Sequence, residues 1–183
     1  MSDVSSELAQ SSGDSRVSVN VQQITSRFQS IQSTAKDIVK KCEEAVEDHK
    51  TYLDKYKQCS DWLAAATSRF DKLQSSPTTT RSELIDKSSG LKELLLEQPT
   101  ATSLVNSTVE MGEKLYPQTA MEGRDIVRKQ LEELQNALEV LYDGVAGSER
   151  ELQAKLSRWS GFEESSKQLL KWLEDVEKTL PGK

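Results

Sequence analysis

The chain of 183 residues sets 24 Lys and Arg against 30 Asp and Glu, a net charge of -6; 35% of its residues are hydrophobic and 30% charged. An ordinary globular chain is roughly 45–50% apolar and about 25% charged, so this balance favours exposed, elongated helices over one compact core. No stretch approaches the ~18 consecutive apolar residues of a membrane span, and an acidic chain without a Lys/Arg cluster gives duplex nucleic acid no electrostatic footprint, so direct membrane insertion and nucleic-acid binding are not expected.

The opening MSDVSSELAQ has neither a basic leader nor an apolar run, which leads us to expect a cytoplasmic chain. Residues 1–18 are rich in Ser, Asp and Gln and hold too little apolar surface to offset the entropy of ordering, so disorder is expected there. From Val19 the pattern changes. Ile24, Phe28, Ile31, Ala35, Ile38 and Cys42 follow alternating steps of four and three, the stripe of a coiled-coil-like helix. The stepping resumes at Tyr52 and continues through Tyr56, Cys59, Leu63, Ala66, Phe70 and Leu73, with no Gly or Pro between Val19 and Ser76. One helix over about 20–75 is the simplest reading.

SSPTTTRSE, around Pro77, marks a loop ending in an N-cap. A second helix is expected over about 80–115, with Leu84, Leu91, Leu94 and Leu95 in its first half and Leu104, Met111 and Leu115 in its second. Pro99 falls where the apolar phase slips, which predicts a kink or break between Glu97 and Thr102. YPQTAMEG, around Pro117, is the second loop. A third helix over about 121–178 carries Ile126, Leu131, Leu134, Leu138, Leu141, Val145, Leu152 and Trp159, and beyond Gly161 it continues as Phe162, Leu169, Leu173, Val176 and Leu180.

The residues with chemistry on offer do not assemble into a motif. Cys42, His49 and Cys59 lie seven and ten residues apart on one helix, which favours two small core residues and a packing histidine over a nucleophile pair, and a zinc site needs about four ligands. The adjacent carboxylates Glu43/Glu44, Glu132/Glu133 and Glu163/Glu164 splay apart on a helix and read as solvated faces. Trp62, Trp159 and Trp172 lie on apolar stripes and are expected in the core; Tyr52, Tyr56, Tyr116 and Tyr142 read as packed rings with exposed hydroxyls. The mixed charges around Glu83 and Lys87 and around Glu139 and Asp143 suggest a solubilising surface. No phosphate-cradling, metalloprotease or nucleophile-elbow pattern occurs. We expect no catalytic, cofactor-binding or metal site, and a non-enzymatic chain.

A repeat organises the whole. Shifting the chain by 110 residues sets Trp62 on Trp172 (172 minus 62), Lys57-Gln58 on Lys167-Gln168 and Leu63 on Leu173. The same shift sets Ile24, Phe28, Ile31, Ala35 and Cys42 on Leu134, Leu138, Leu141, Val145 and Leu152, with His49 opposite Trp159. The unit is helix, loop, helix, loop, helix, its last helix flowing into the first of the next copy. In this the sequence resembles the spectrin repeat, which implies an all-α fold: a three-helix left-handed bundle with continuous inter-repeat helices.

On that resemblance residues 19–48 are helix C of a preceding partial repeat, 49–158 a complete repeat, and 159–183 the start of a following helix A. The segment K-Q-x-x-x-W-L around Trp62 is similar to the helix A tryptophan segment. GEKLYPQTAMEGRDIVRKQLEELQNALEVL (112–141) is similar to the junction of helices B and C in the nuclear-envelope linkers called nesprins and, less closely, in dystrophin. Two departures stand out: Leu138 sits where many repeats carry Trp, and Gly144 and Gly147 sit within helix C, each destabilising a helix by roughly 1 kcal/mol relative to Ala, which predicts a looser stretch. The resemblance implies a structural rod or scaffold segment of a cytoskeletal linker whose parent tethers actin to the nuclear envelope. Its partners would be adjacent repeats and cytoskeletal or nuclear-envelope proteins, actin among them, at the cytoplasmic face of the outer nuclear membrane. The sequence holds neither a paired calponin-homology domain nor a membrane anchor, so actin or envelope binding is expected of the parent chain. The alternative is a self-contained helical adaptor that dimerises through its unpaired end helices.

Overall fold

Three long helices account for almost every described residue. The computed structural model describes residues 2–182; Met1 and Lys183 lie outside it. Helix α1 is Ser2–Ser75, α2 is Arg81–Lys114 and α3 is Met121–Thr179, with a 3-10 turn at Tyr116–Gln118; no strand occurs among the described residues. The chain divides into two units, residues 1–50 and 51–183. The first is helix alone, and its side chains from Gln10 to Glu44 are all exposed. The second holds the bundle.

The boundaries follow local chemistry. At the end of α1, the backbone N–H and hydroxyl of Ser76 both donate to the Leu73 carbonyl (3.2 and 2.6 Å), and Lys87 Nζ donates to the Gln74 carbonyl (3.0 Å), satisfying acceptors that a helix terminus leaves open. Pro77 prevents continuation. α2 opens on a capping box: Thr80 Oγ1 accepts from the Glu83 N–H (3.2 Å), while the Glu83 carboxylate accepts from the Thr80 N–H (3.0 Å). The expected N-cap is therefore present. Before α3, Thr119 Oγ1 donates to the Leu115 carbonyl (2.6 Å), and the Thr119 carbonyl accepts from Arg124 Nε (2.8 Å).

In the 51–183 unit the core draws on all three helices. Cys59, Leu63 and Ala66 come from α1, Leu84, Leu91, Leu94, Ala101 and Val105 from α2, and Leu134, Leu141, Tyr142, Val145 and Leu152 from α3. A second cluster at the opposite end joins Tyr52, Leu115, Val127 and Leu131. Gly112 lets the helices meet there: a Cβ on it would lie 2.8 Å from Leu131 Cδ1 and 3.1 Å from Tyr52 Cε2. Gly144, expected to loosen α3, faces Phe70, whose Cε1 would sit 3.0 Å from an added Cβ; its bareness makes room for the ring.

Three expectations are corrected. Helix α1 begins at Ser2, where disorder was expected over 1–18: the segment has no proline, and Gly13 alone does not outweigh a helix that satisfies its own backbone. Of the kink or break expected at Pro99, the break is absent: α2 runs through it to Lys114. Proline removes one donor, the one that would have served Leu95, and the helix persists because buried Leu91 and Leu94 before it and Ala101 and Val105 after it lie in the same core. Nor does the stripe slip phase: it runs through Leu84, Ser88, Leu91, Leu94, Ala101, Val105, Thr108, Gly112 and Leu115, with Lys87 buried beside Ser88, and two polar members and a glycine hold the spacing that the apolar residues alone do not show.

Candidate functional site

The residues that could do chemistry are dispersed along the helices. Cys59 is fully buried, and burial pushes its thiol up in pKa against the opposing effect of a hydrogen bond with Thr108. Cys42 is exposed, which corrects the expectation that both cysteines are core residues. His49 is half-buried and its Nδ1 lies 2.9 Å from the Ala45 carbonyl, a bond within its own helix. Among the described residues no three His, Cys, Asp or Glu side chains are placed to hold a metal, and no helix is long and apolar enough to cross a membrane.

The paired carboxylates are spent on ion pairs at the surface: Glu44 with Lys40 (3.8 Å), Glu133 with Lys129 (4.0 Å) and Glu163 with Arg81 (3.7 Å). Such exposed pairs contribute about 0–1 kcal/mol each. Glu83 does not pair with Lys87. Its carboxylate takes the Thr79 hydroxyl and the Thr79 and Thr80 N–H groups, which hold it below the usual carboxylate range.

Two tyrosines differ from expectation. The hydroxyl of Tyr52 is buried and donates to Gln130 Oε1 (2.9 Å), and burial, with Tyr56 and Tyr116 adding to it, pushes the phenol up to about 12. The hydroxyl of Tyr142 is buried with no protein partner, and burial raises its pKa, with Glu97 nearby pushing the same way. Both were read as packed rings with exposed hydroxyls; the helix spacing showed the packing but not how deep the rings lie. Arg128 stacks over the Tyr116 ring at 5.9 Å.

What the helices leave open is apolar. In the 51–183 unit, α3 runs on past the bundle with Phe162 70%, Trp172 60% and Leu173 44% exposed. Arg158, Trp159 and Phe162 line an open, largely apolar notch at the start of this stretch. Trp62 packs half-buried on the core, whereas Trp159 and Trp172, expected in the core, lie on the uncovered stripe. In the 1–50 unit, Ile24, Phe28, Ile31, Ile38 and Val46 are all exposed on the helix. By the 110-residue offset, Ile24 and Ile31 of this stripe match Leu134 and Leu141, which the bundle buries. Isolated exposed apolar residues are ordinary, but stripes of this length at helical spacing are surfaces built to be covered. They are the candidate site. Periodicity gives both stripes, and the repeat offset, which leaves 19–48 and 159–183 as unpaired end helices, accounts for their standing uncovered.

Among proteins of known identity, Muscle-specific protein 300 kDa of Drosophila melanogaster is 52% identical over 181 residues, a match covering 98% of this chain and 1% of that protein. Nesprin-3 of Mus musculus is 25% identical over 129 residues, covering 70% of this chain and 13% of that protein. The chain therefore spans only a small part of either relative. No family model and no solved structure matches it. The sequence is nesprin-like, and its all-α bundle is of the spectrin-repeat kind.

Proposed function

We propose that this nesprin-like chain is a non-enzymatic structural segment of a cytoskeletal linker, a stretch of rod that spaces what its ends hold. Residues 19–48 would act as helix C of a preceding repeat, 49–158 as a complete repeat and 159–183 as the opening of a following helix A. One observation carries this: the 51–183 unit closes a bundle yet leaves an apolar stripe of α3 from Phe162 to Leu173 uncovered, and the 1–50 unit bears another, from Ile24 to Val46. Adjacent repeats would bury these stripes, so that each repeat is stabilised by its neighbours and the array gains strength by nearest-neighbour coupling. By analogy with a nesprin, the whole protein would work in the cytoplasm and tether actin at the outer nuclear membrane.

The likeness to two larger relatives and the mixed-charge surface support the reading. Sedimentation velocity tests it: a rod segment runs as an elongated monomer whose sedimentation coefficient does not change with concentration. A stable dimer would replace it with the second reading, a self-contained adaptor closing its stripes on a second copy. Co-sedimentation with filamentous actin tests the finer claim, and no pelleting at saturating filament would remove actin from the partners of this segment.

A further inference from the structure

The core of the bundle contains one layer that is polar. Ser88 is 3% exposed, and its hydroxyl lies 3.1 and 3.0 Å from the two carboxylate oxygens of Glu149, itself 8% exposed. Gln153 Nε2 donates to Glu149 Oε1 (2.7 Å) and to Ser88 Oγ (3.1 Å), and Lys92 Nζ reaches the same carboxylate from the surface at 3.6 Å. Close by, Lys87 Nζ donates to the Gln74 carbonyl (3.0 Å) and Gln74 Nε2 donates to Ser148 Oγ. At this level of the bundle each pair of helices is thus joined by polar groups: α1 to α2 through Gln74 and Lys87, α2 to α3 through Ser88 and Glu149, and α3 to α1 through Ser148 and Gln74.

On the two sides of this layer the packing differs. Towards Tyr52, three helices share an apolar core through Leu63, Leu91, Leu94, Ala101, Leu141 and Val145. In the other direction α1 ends at Ser75, so the first turns of α2 meet α3 without a third helix; what joins them there is Leu84, Leu152, half-buried Leu156 and the exposed Arg81–Glu163 pair. A buried carboxylate gives back in desolvation much of what its hydrogen bonds contribute. Local unfolding takes the route with the least apolar burial to lose.

We propose that the Ser88–Glu149–Gln153 layer is a built-in opening point of the bundle. The loop after α1, the first two turns of α2 and the facing turns of α3 detach there as one unit, while the apolar core from Tyr52 to Val145 stays closed. The layer also fixes which turn of α2 faces which turn of α3, since a slip along either helix separates Ser88 from Glu149. An opening of this kind gives the segment extra length without loss of its main core.

Hydrogen exchange read by mass spectrometry on the full chain tests this. Amides of residues 82–88 and 150–156 should exchange about tenfold faster than those of 101–108 and 134–142. The pair S88A/E149L, which makes the two buried members of the layer apolar and leaves the exposed Gln153 to water, should slow the first set by about tenfold and leave the second unchanged. Ser88→Ala alone, a small truncation that takes the hydroxyl from Glu149 and keeps the charge buried, should speed the first set and spare the second. One common rate for both sets in the unmodified chain overturns the proposal, as does a well-folded double variant whose distal amides exchange as before, or an S88A variant in which both sets accelerate equally.

Discussion

Tyr52 shows how one ring can tie a helix end to its neighbours. Its edge packs where Gly112 offers no Cβ, its hydroxyl reaches Gln130 on α3, and its pKa stands near 12 against an ordinary 10.0. A phenol that holds its proton more tightly folded than unfolded contributes stability fully below about pH 10, and that contribution is lost as pH rises through the folded value near 12. Thermal melts between pH 9 and pH 12, in steps of about half a unit, should show a steeper fall for the unmodified chain than for Y52F, which at neutral pH should be less stable by about 0.5–1.5 kcal/mol. Parallel slopes would mean that Tyr52 does not titrate with folding. The two cysteines offer a second check at this scale. Cys42 is exposed, while Cys59 is buried with its thiol pushed up, so iodoacetamide should label Cys42 promptly and Cys59 only in denaturant.

Among the elements, α2 is the one whose sequence conflicts most with its conformation. Pro99 leaves the Leu95 carbonyl without its usual donor, and exposed Gln98 beside it is the one gap in an otherwise regular buried stripe. The Thr102 hydroxyl donates to the Gln98 carbonyl (2.9 Å), supporting the backbone one turn on. Pro99→Ala restores a donor in a helix that already has the right path. We expect it to raise stability by about 1–3 kcal/mol in urea titration with the slope unchanged. A loss of stability would show that the ring packs usefully in place of the missing bond.

For the whole molecule, the contrast is between a bundle that buries its apolar residues and helical stretches that do not. Residues 51–183 hold every buried residue among those described. A chain lacking residues 1–50 should therefore melt cooperatively at an unchanged midpoint, measured by circular dichroism. In the full chain, amides of residues 24–46 should exchange far faster than those of 134–142, because a lone helix frays without a packed face. Equal protection in a dilute monomer would contradict the rod reading, since a segment awaiting its neighbours cannot already be covered.

The helical class and the two loops were legible in the amino-acid pattern. Alternation of four and three residues, Pro77 and Pro117, and the Thr80 cap act through the local backbone, and a local cause is legible without a fold. Tertiary packing settled the burial of the single residues on those stripes. Cys42 matches the pattern of Cys59, and Trp172 the pattern of Trp62, yet Cys59 and Trp62 lie against two other helices while Cys42 and Trp172 stand exposed. It also decided that Pro99 is held within a continuous helix and that Ser88, Thr108 and Glu149 are core positions. Periodicity names the face a helix offers, but burial depends on whether a partner is there to meet it.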